Sequence, residues 1–398
     1  MIGGIVLIIL LYFITLPILS SIKNRRSWFS LKLMKNLYWY HVFFALVYYI
    51  YASFNPSDSV AYYSRSSSAY ENWFAAFQTG TPFIDFVGYP FINYMFFSYQ
   101  MMMVLFAWLG YWGFVLFYIF FKENTRYKNL VKGVDLITLL IFLPNMHFWT
   151  VSFGKGSIIF MGMGMAIFGL SKLNRRKIIL LLGLTLVYYI RPHVFFLMAI
   201  GILFGLVTGK QSVPLYQKLI VFGGTAVALF LMYNQIMSFA HLDSENVMES
   251  FDQFSSTRSV ELAKAGSGVD ISNYPLVLKL FTFWFRPLFI DSPGVLGLII
   301  SFENLFYVFI TGKLFQKGFF VFLRKSSAIV KTSLVVFLAT SLALSGTLSN
   351  LGIIMRQKSM VMYFLFFLIL SFMDYKKGEQ VIRRKKLSEK QVAKLQTI

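Results

Sequence analysis

The chain has 398 residues, of which 57% are hydrophobic and only 13% charged, with a mean hydropathy of +0.66; a water-soluble globular chain carries about 25% charged residues. The net charge of +21 would suit nucleic acid, but the basic residues fall in short segments between apolar runs, which is the pattern that orients membrane proteins. There is no cysteine, so disulfides and thiolate metal sites are excluded, and the four histidines are scattered singly, so neither a metal site nor a cofactor is expected.

Apolar runs of membrane-spanning length recur from end to end. Each must satisfy its own backbone polar groups in lipid, so helices are the form expected. The fold class predicted is all-α, a polytopic transmembrane bundle forming a single integral membrane domain over 1–398. Met1–Ile22 is apolar from its first residue and has no charged leader or small-residue cleavage site, so it reads as a retained helix.

In chain order, eleven spans fit: 2–22, 38–54, 89–121, 133–150, 157–170, 178–190, 194–208, 219–237, 294–312, 332–349 and 359–373. Two of them need argument. The stretch 89–121 is long for one span and too polar early for two, so it is taken as one crossing with Tyr89–Met103 partly interfacial. The stretch 178–208 holds Arg191-Pro192-His193 at its middle. A continuous helix there would run about 46 Å against a hydrocarbon core of about 30 Å, and proline interrupts helices. A hairpin of two short helices is expected, with the polar triplet at its tip.

Charge sets the parity. The loops 23–35, 122–132, 171–177, 209–218, 313–331 and 374–398 hold 28 of the 37 Lys and Arg. The positive-inside bias makes these cytoplasmic, with the N-terminus outside and a basic C-terminal tail, 374–398, on the anionic inner leaflet. Two larger loops then lie outside. One, 55–88, carries Asp58, Arg65 and Glu71; the other, 238–293, opens with an acidic stretch that includes Arg258 and Lys264 and closes with an apolar segment that suits an interfacial helix.

Several of the nine remaining cations sit at outer helix ends beside Gly or Pro breaks: Lys155 in Ser152-Phe153-Gly154-Lys155-Gly156-Ser157, Arg191 with His193, Arg286 in Trp284-Phe285-Arg286-Pro287, and Arg356 with Lys358. Each could snorkel singly to the interface. Together they suit a phosphate or pyrophosphate, whose oxygens an arginine fork binds bidentately. Glu303, inside the span 294–312, is an intramembrane carboxylate and so a candidate either for pairing with an arginine or for a base; Asp58, Asp291 and His193 are the other base candidates. Gly201 and Gly205 read as helix packing, and Gly154-Lys155-Gly156-Ser157 lacks the spacing of a nucleotide-binding loop.

The pieces "LPNMHFWTVSFGKGS" (143–157), "YYIRPHVFF" (188–196), "FWFRPLFIDSPGVLGLIISFEN" (283–304) and "NLGIIMRQKSMVM" (350–362), with "GTPFIDFVGYPF" (80–91) before them, resemble in their order the polytopic O-antigen and capsule polymerases of the Wzy type. The resemblance implies a glycosyltransferase that joins oligosaccharide repeat units carried on polyprenyl pyrophosphate, at the outer face of the bacterial cytoplasmic membrane, by an inverting displacement without metal. It implies lipid, lipid-linked oligosaccharide and other assembly proteins as partners, and no nucleic acid. On that reading Arg191, Arg286 and Arg356 hold the diphosphate with Lys155 and Lys358 assisting, and His193 or Glu303 is the base. Two alternatives stand beside it. One is a transferase using polyprenyl-phosphate sugars or a sugar–lipid ligase, in which Asp58 would be the required acid. The other is a flippase or transporter of lipid-linked sugars.

Overall fold

The computed structural model describes residues 2–210, residues 268–395 apart from 270, 272 and 293, and scattered positions between 216 and 230. Most of the expected span 219–237 and most of the second outer loop, with Arg258 and Lys264, lie outside the described residues.

Among the described residues the architecture is helical, apart from a two-residue antiparallel ribbon, β1 (Leu130–Val131) with β2 (Val134–Asp135), and an isolated bridge between Gly268 and Asn350. The first half runs α1 (Ile2–Arg25), α2 (Leu31–Phe54), α3 (Asp58–Ser68), α4 (Thr81–Asn93) and α5 (Tyr99–Asn124). After the ribbon come α6 (Leu136–Ile141), α7 (Pro144–Trp149), α8 (Lys155–Ser171), α9 (Leu173–Ile190) and α10 (Pro192–Thr208). The C-terminal part holds α11 (Leu276–Phe285), α12 (Gly294–Thr311), α13 (Phe319–Lys325), α14 (Ala328–Thr347) and α15 (Leu351–Leu395).

Local chemistry sets the boundaries. Ser30, Ser57 and Ser98 cap α2, α3 and α5 by accepting from backbone N–H groups of the first turn. Prolines open α7 and α10, where a missing N–H costs nothing. The core is aromatic: Phe114, Phe117 and Phe121 of α5 pack with Phe160 of α8 and Tyr363 of α15. Gly205 lets α10 meet α14, since a Cβ there would lie 2.1 Å from Thr332 Oγ1; Gly201 beside it faces Val336, which is the packing role expected of the pair.

Four helices are long and apolar enough to cross a membrane: α1, α5, Gly294–Phe315 and α14. α15 makes a fifth if its two parts, Leu351–Lys358 and Val361–Glu389, bent by 53°, count as one span. The chain is therefore an all-α protein with several helices able to span a bilayer. α8 and α10, at 17 residues each, are shorter apolar helices of about 26 Å.

Three expectations on element boundaries change. The stretch 89–121 is two helices: α4 ends at Asn93, whose side chain bonds back to Tyr89 O and Ser66 O, and Ser98 restarts the chain as α5. The stretch 133–150 is broken at Leu143 because Pro144 starts a new helix. The span at 359–373 is part of a 45-residue helix that begins at Leu351 and carries the basic tail.

The six basic loops are joined to one another. Arg26, Lys172 and Arg176 all pair with Glu123, at 2.8, 3.0 and 2.8 Å. Asp374 accepts from the N–H groups of Arg126 and Tyr127, Lys376 reaches Lys317 O, and Lys210 N donates to Ser326 O. These bonds draw the end of α1, the end of α5, the α8–α9 turn, residue 210, the 313–331 segment and the tail to one end of the bundle.

Candidate functional site

Away from that end, residues distant in sequence meet at the start of α3, the start of α8, the α9–α10 break and the first turns of α15. α3 begins at Asp58, fixed by a chain of hydroxyls: Tyr48 to Ser57 at 3.1 Å, Ser57 to Ser59 at 2.7 Å, and Ser59 to Tyr99 at 2.8 Å. The Asp58 carboxylate is exposed and accepts from Arg356 Nη1 at 2.6 Å. α8 begins at Lys155 without a side-chain cap, because its N-cap residue is Gly154; Ser157 in the first turn donates to the carbonyls of Thr150 and Ser152. A narrow recess between these elements is lined by Asp58, Ser59, Tyr62, Trp149, Lys155 and Arg356. Trp149 there carries a buried indole N–H with no acceptor among the described residues.

Arg191 closes α9 and is only 9% exposed. Its Nη1 donates to Gln357 Oε1 at 2.9 Å, and among the described residues it pairs with no carboxylate. Burial, then the charge of Arg356, lowers its pKa to about 10. Lys155, which precedes the apolar part of α8, is lowered to about 8 by burial, then by Arg191 and Arg356, with Asp58 opposing and Arg65 adding. His193 is lowered to about 3 by burial and then by Arg191 and Lys155. Among the described residues, these three cations thus share their neighbourhood with the Asp58 carboxylate. Desolvated like charges disfavour one another unless an anion joins them.

Arg65 lies at the edge of this field. It binds Asp85, fully buried in α4, through Nε at 3.0 Å and Nη2 at 3.4 Å, and covers the Tyr62 ring at 4.9 Å. Burial opposes the Arg65 charge, but the hydrogen bond to Asp85 and its charge raise the pKa overall. Tyr70 also donates to Asp85, and burial together with that carboxylate pushes its pKa up to about 12. The Gly80 N–H bonds Tyr189 O at 2.7 Å, so α4 is tied to the helix that ends in Arg191.

The other expected residues form a second, drier group. Arg286 pairs with Asp291 in its own loop. Lys358 has no exposed surface and donates to Asn304 Oδ1 at 2.6 Å, to Arg286 O at 2.7 Å and to Trp284 O at 3.4 Å. Glu303 is 4% exposed and accepts from the Asn145 N–H at 2.9 Å and from the Tyr307 hydroxyl, so its described partners include no arginine. Asn145 in turn donates to Met355 O at 3.0 Å. The structure therefore brings Asp58, Lys155, Arg191 and Arg356 together, with His193 alongside. It sets Arg286, Glu303 and Lys358 around the base of the segment that carries Arg356.

Three features escaped the sequence reading. Asp85 stood inside the stretch 80–91, and a lone acid in an apolar run was a signal for a buried partner. Gln357, the neutral acceptor for Arg191, gave no signal. His41 and His147, 106 residues apart, meet through their Nδ1 atoms at 2.7 Å in the core, against Phe114. Among the described residues no group of three or more His, Cys, Asp or Glu is placed to hold a metal ion. Compared with known proteins, the chain matches no family model, no curated protein and no solved structure, so the chemistry of the site is read from its own residues.

Proposed function

We propose that the protein is a membrane glycosyltransferase that polymerises oligosaccharide repeat units carried on polyprenyl pyrophosphate, at the outer face of a bacterial cytoplasmic membrane, in the assembly of a surface polysaccharide such as O-antigen, capsule or exopolysaccharide. The observation that carries this reading is Arg191: a buried guanidinium beside Lys155 and Arg356 whose described side-chain partner is a neutral amide. A buried cation without a carboxylate partner among the described residues is by default a candidate for binding an anion. The orphan Trp149 N–H adds a donor for the same oxygens. A diphosphate leaving group gains stabilisation from fixed cations aimed at the charge it develops.

In this account Arg191, Arg356 and Lys155 hold the diphosphate. Arg286, already matched by Asp291, and Lys358, already holding three acceptors, support the backbone around them. Eleven crossings, an outer N-terminus and an inner basic C-terminus belong to the same proposal. They put the linked basic loops on the cytoplasmic leaflet and the cation cluster at the outer one.

Asp58 within the cluster favours one competing reading, a transferase using polyprenyl-phosphate sugars. Loss of activity in Asp58→Ala with full activity in Arg191→Ala would select it. The primary test compares lipid-linked glycans from cells with and without the protein. The proposal predicts that its absence abolishes long chains and leaves single repeats on lipid. An unchanged chain-length distribution would reject it.

A further inference from the structure

We propose that Asp58 is the general base of the transfer, held in reserve on Arg356 and released when the substrate diphosphate takes its place. This rests on the diphosphate-transfer reading above.

A base for the acceptor hydroxyl must stand beside the leaving-group cations, reach an open surface, and be unbound when attack occurs. Glu303 fails on access, since it is buried and held by the Asn145 N–H and the Tyr307 hydroxyl. His193 is not among the residues that line the recess with Lys155 and Arg356. Asp58 meets the first two conditions, and exchange of its Arg356 partner for the diphosphate supplies the third. It lines the recess with Lys155 and Arg356, and its side chain is 60% exposed. The hydroxyls of Ser57 and Ser59 on either side are fixed to Tyr48 and Tyr99, so the backbone that carries Asp58 is set.

The ion pair with Arg356 explains the order of events. Arg356 cannot give its full fork to Asp58 and to a diphosphate together. A diphosphate carries more charge than a carboxylate and is also drawn by Arg191 and Lys155, so it displaces Asp58. The freed carboxylate then takes the proton of the acceptor hydroxyl. The hydroxyl oxygen forms its bond to the anomeric carbon, and the bond from that carbon to the diphosphate oxygen breaks. The electron pair leaves with the diphosphate, whose charge Arg191, Arg356 and Lys155 hold. The proton remains on Asp58.

The test uses purified full-length protein in lipid nanodiscs, with inorganic pyrophosphate as the probe, alongside glycan profiles from cells. Asp58→Asn keeps the shape and removes the base. Pyrophosphate is expected to bind Asp58→Asn at least as tightly as wild type, because its internal competitor is gone, while chain growth falls by about 100-fold or more. Asp58→Glu is expected to restore part of the growth. Normal chain growth in Asp58→Asn overturns the proposal, and so does loss of both growth and pyrophosphate binding, which would make Asp58 a structural residue. Failure of wild type to bind pyrophosphate would instead overturn the diphosphate reading, and this assignment with it.

Discussion

Lys155 and Trp149 both line the recess beside Asp58 and Arg356. Lys155 is an ammonium crowded by two guanidinium groups, with a pKa lowered to about 8. An anion bound beside it raises that value, so its contribution to affinity is complete below about pH 8 and fades as the pH climbs past it. Pyrophosphate affinity of wild type is therefore expected to fall between about pH 7 and 9.5, and Lys155→Arg to flatten that fall, since arginine stays charged throughout. Equal slopes for the two proteins would remove Lys155 from the site. Trp149 gives an opposite signature. Its indole N–H has no acceptor among the described residues, so Trp149→Phe sacrifices no described hydrogen bond. It is expected to leave thermal stability unchanged or raised while weakening pyrophosphate binding by about tenfold or more, as for a lost hydrogen bond to a charged acceptor. A stability loss without a binding loss would make it a packing residue.

At the scale of elements, the short first part of α15 is the hub. Met355 O, Arg356, Gln357 and Lys358 in succession meet Asn145, Asp58, Arg191 and Asn304. Lys358 anchors this run to α12 and to the loop after α11. Asn304→Leu leaves its buried ammonium one acceptor short and is expected to cost about 1.5–3 kcal/mol, read as a lower unfolding midpoint. Full stability in that variant would deny the anchor. Much of this was legible in the sequence and some was not. Arg191-Pro192-His193 marked the break between α9 and α10 because proline and a charge interrupt an apolar run whatever the surroundings. Arg356 and Lys358 were legible only as outer cations, because two residues apart on one helix they face different elements, and nothing local says that one meets Asp58 and the other Asn304. The helix at Asp58–Ser68 was hidden for a similar reason: its serines favour turns and caps, and here hydroxyl bonds to Tyr48 and Tyr99 hold it.

For the whole molecule, charge asymmetry organises both ends. Glu123 gathers three cations where the basic loops meet, and Asp374 ties the tail to the turn after α5. At the other end, among the described residues, Lys155, Arg191 and Arg356 gather around Asp58. Cysteines placed singly at residues 155 or 260 of this cysteine-free chain are expected to react with a membrane-impermeant thiol reagent from outside intact cells, and those at 175 or 385 are not. Labelling of 175 from outside would invert the topology and move the cation cluster to the cytoplasm.

We propose that Arg191 and its neighbours grip the diphosphate of a lipid-linked sugar chain during transfer. The most direct test is the glycan profile, by gel and by mass spectrometry of extracted lipid-linked oligosaccharides, of cells carrying Arg191→Ala at wild-type protein levels. Loss of long chains with accumulation of single lipid-linked repeats is expected. Polymer of normal length and amount in that variant would contradict it.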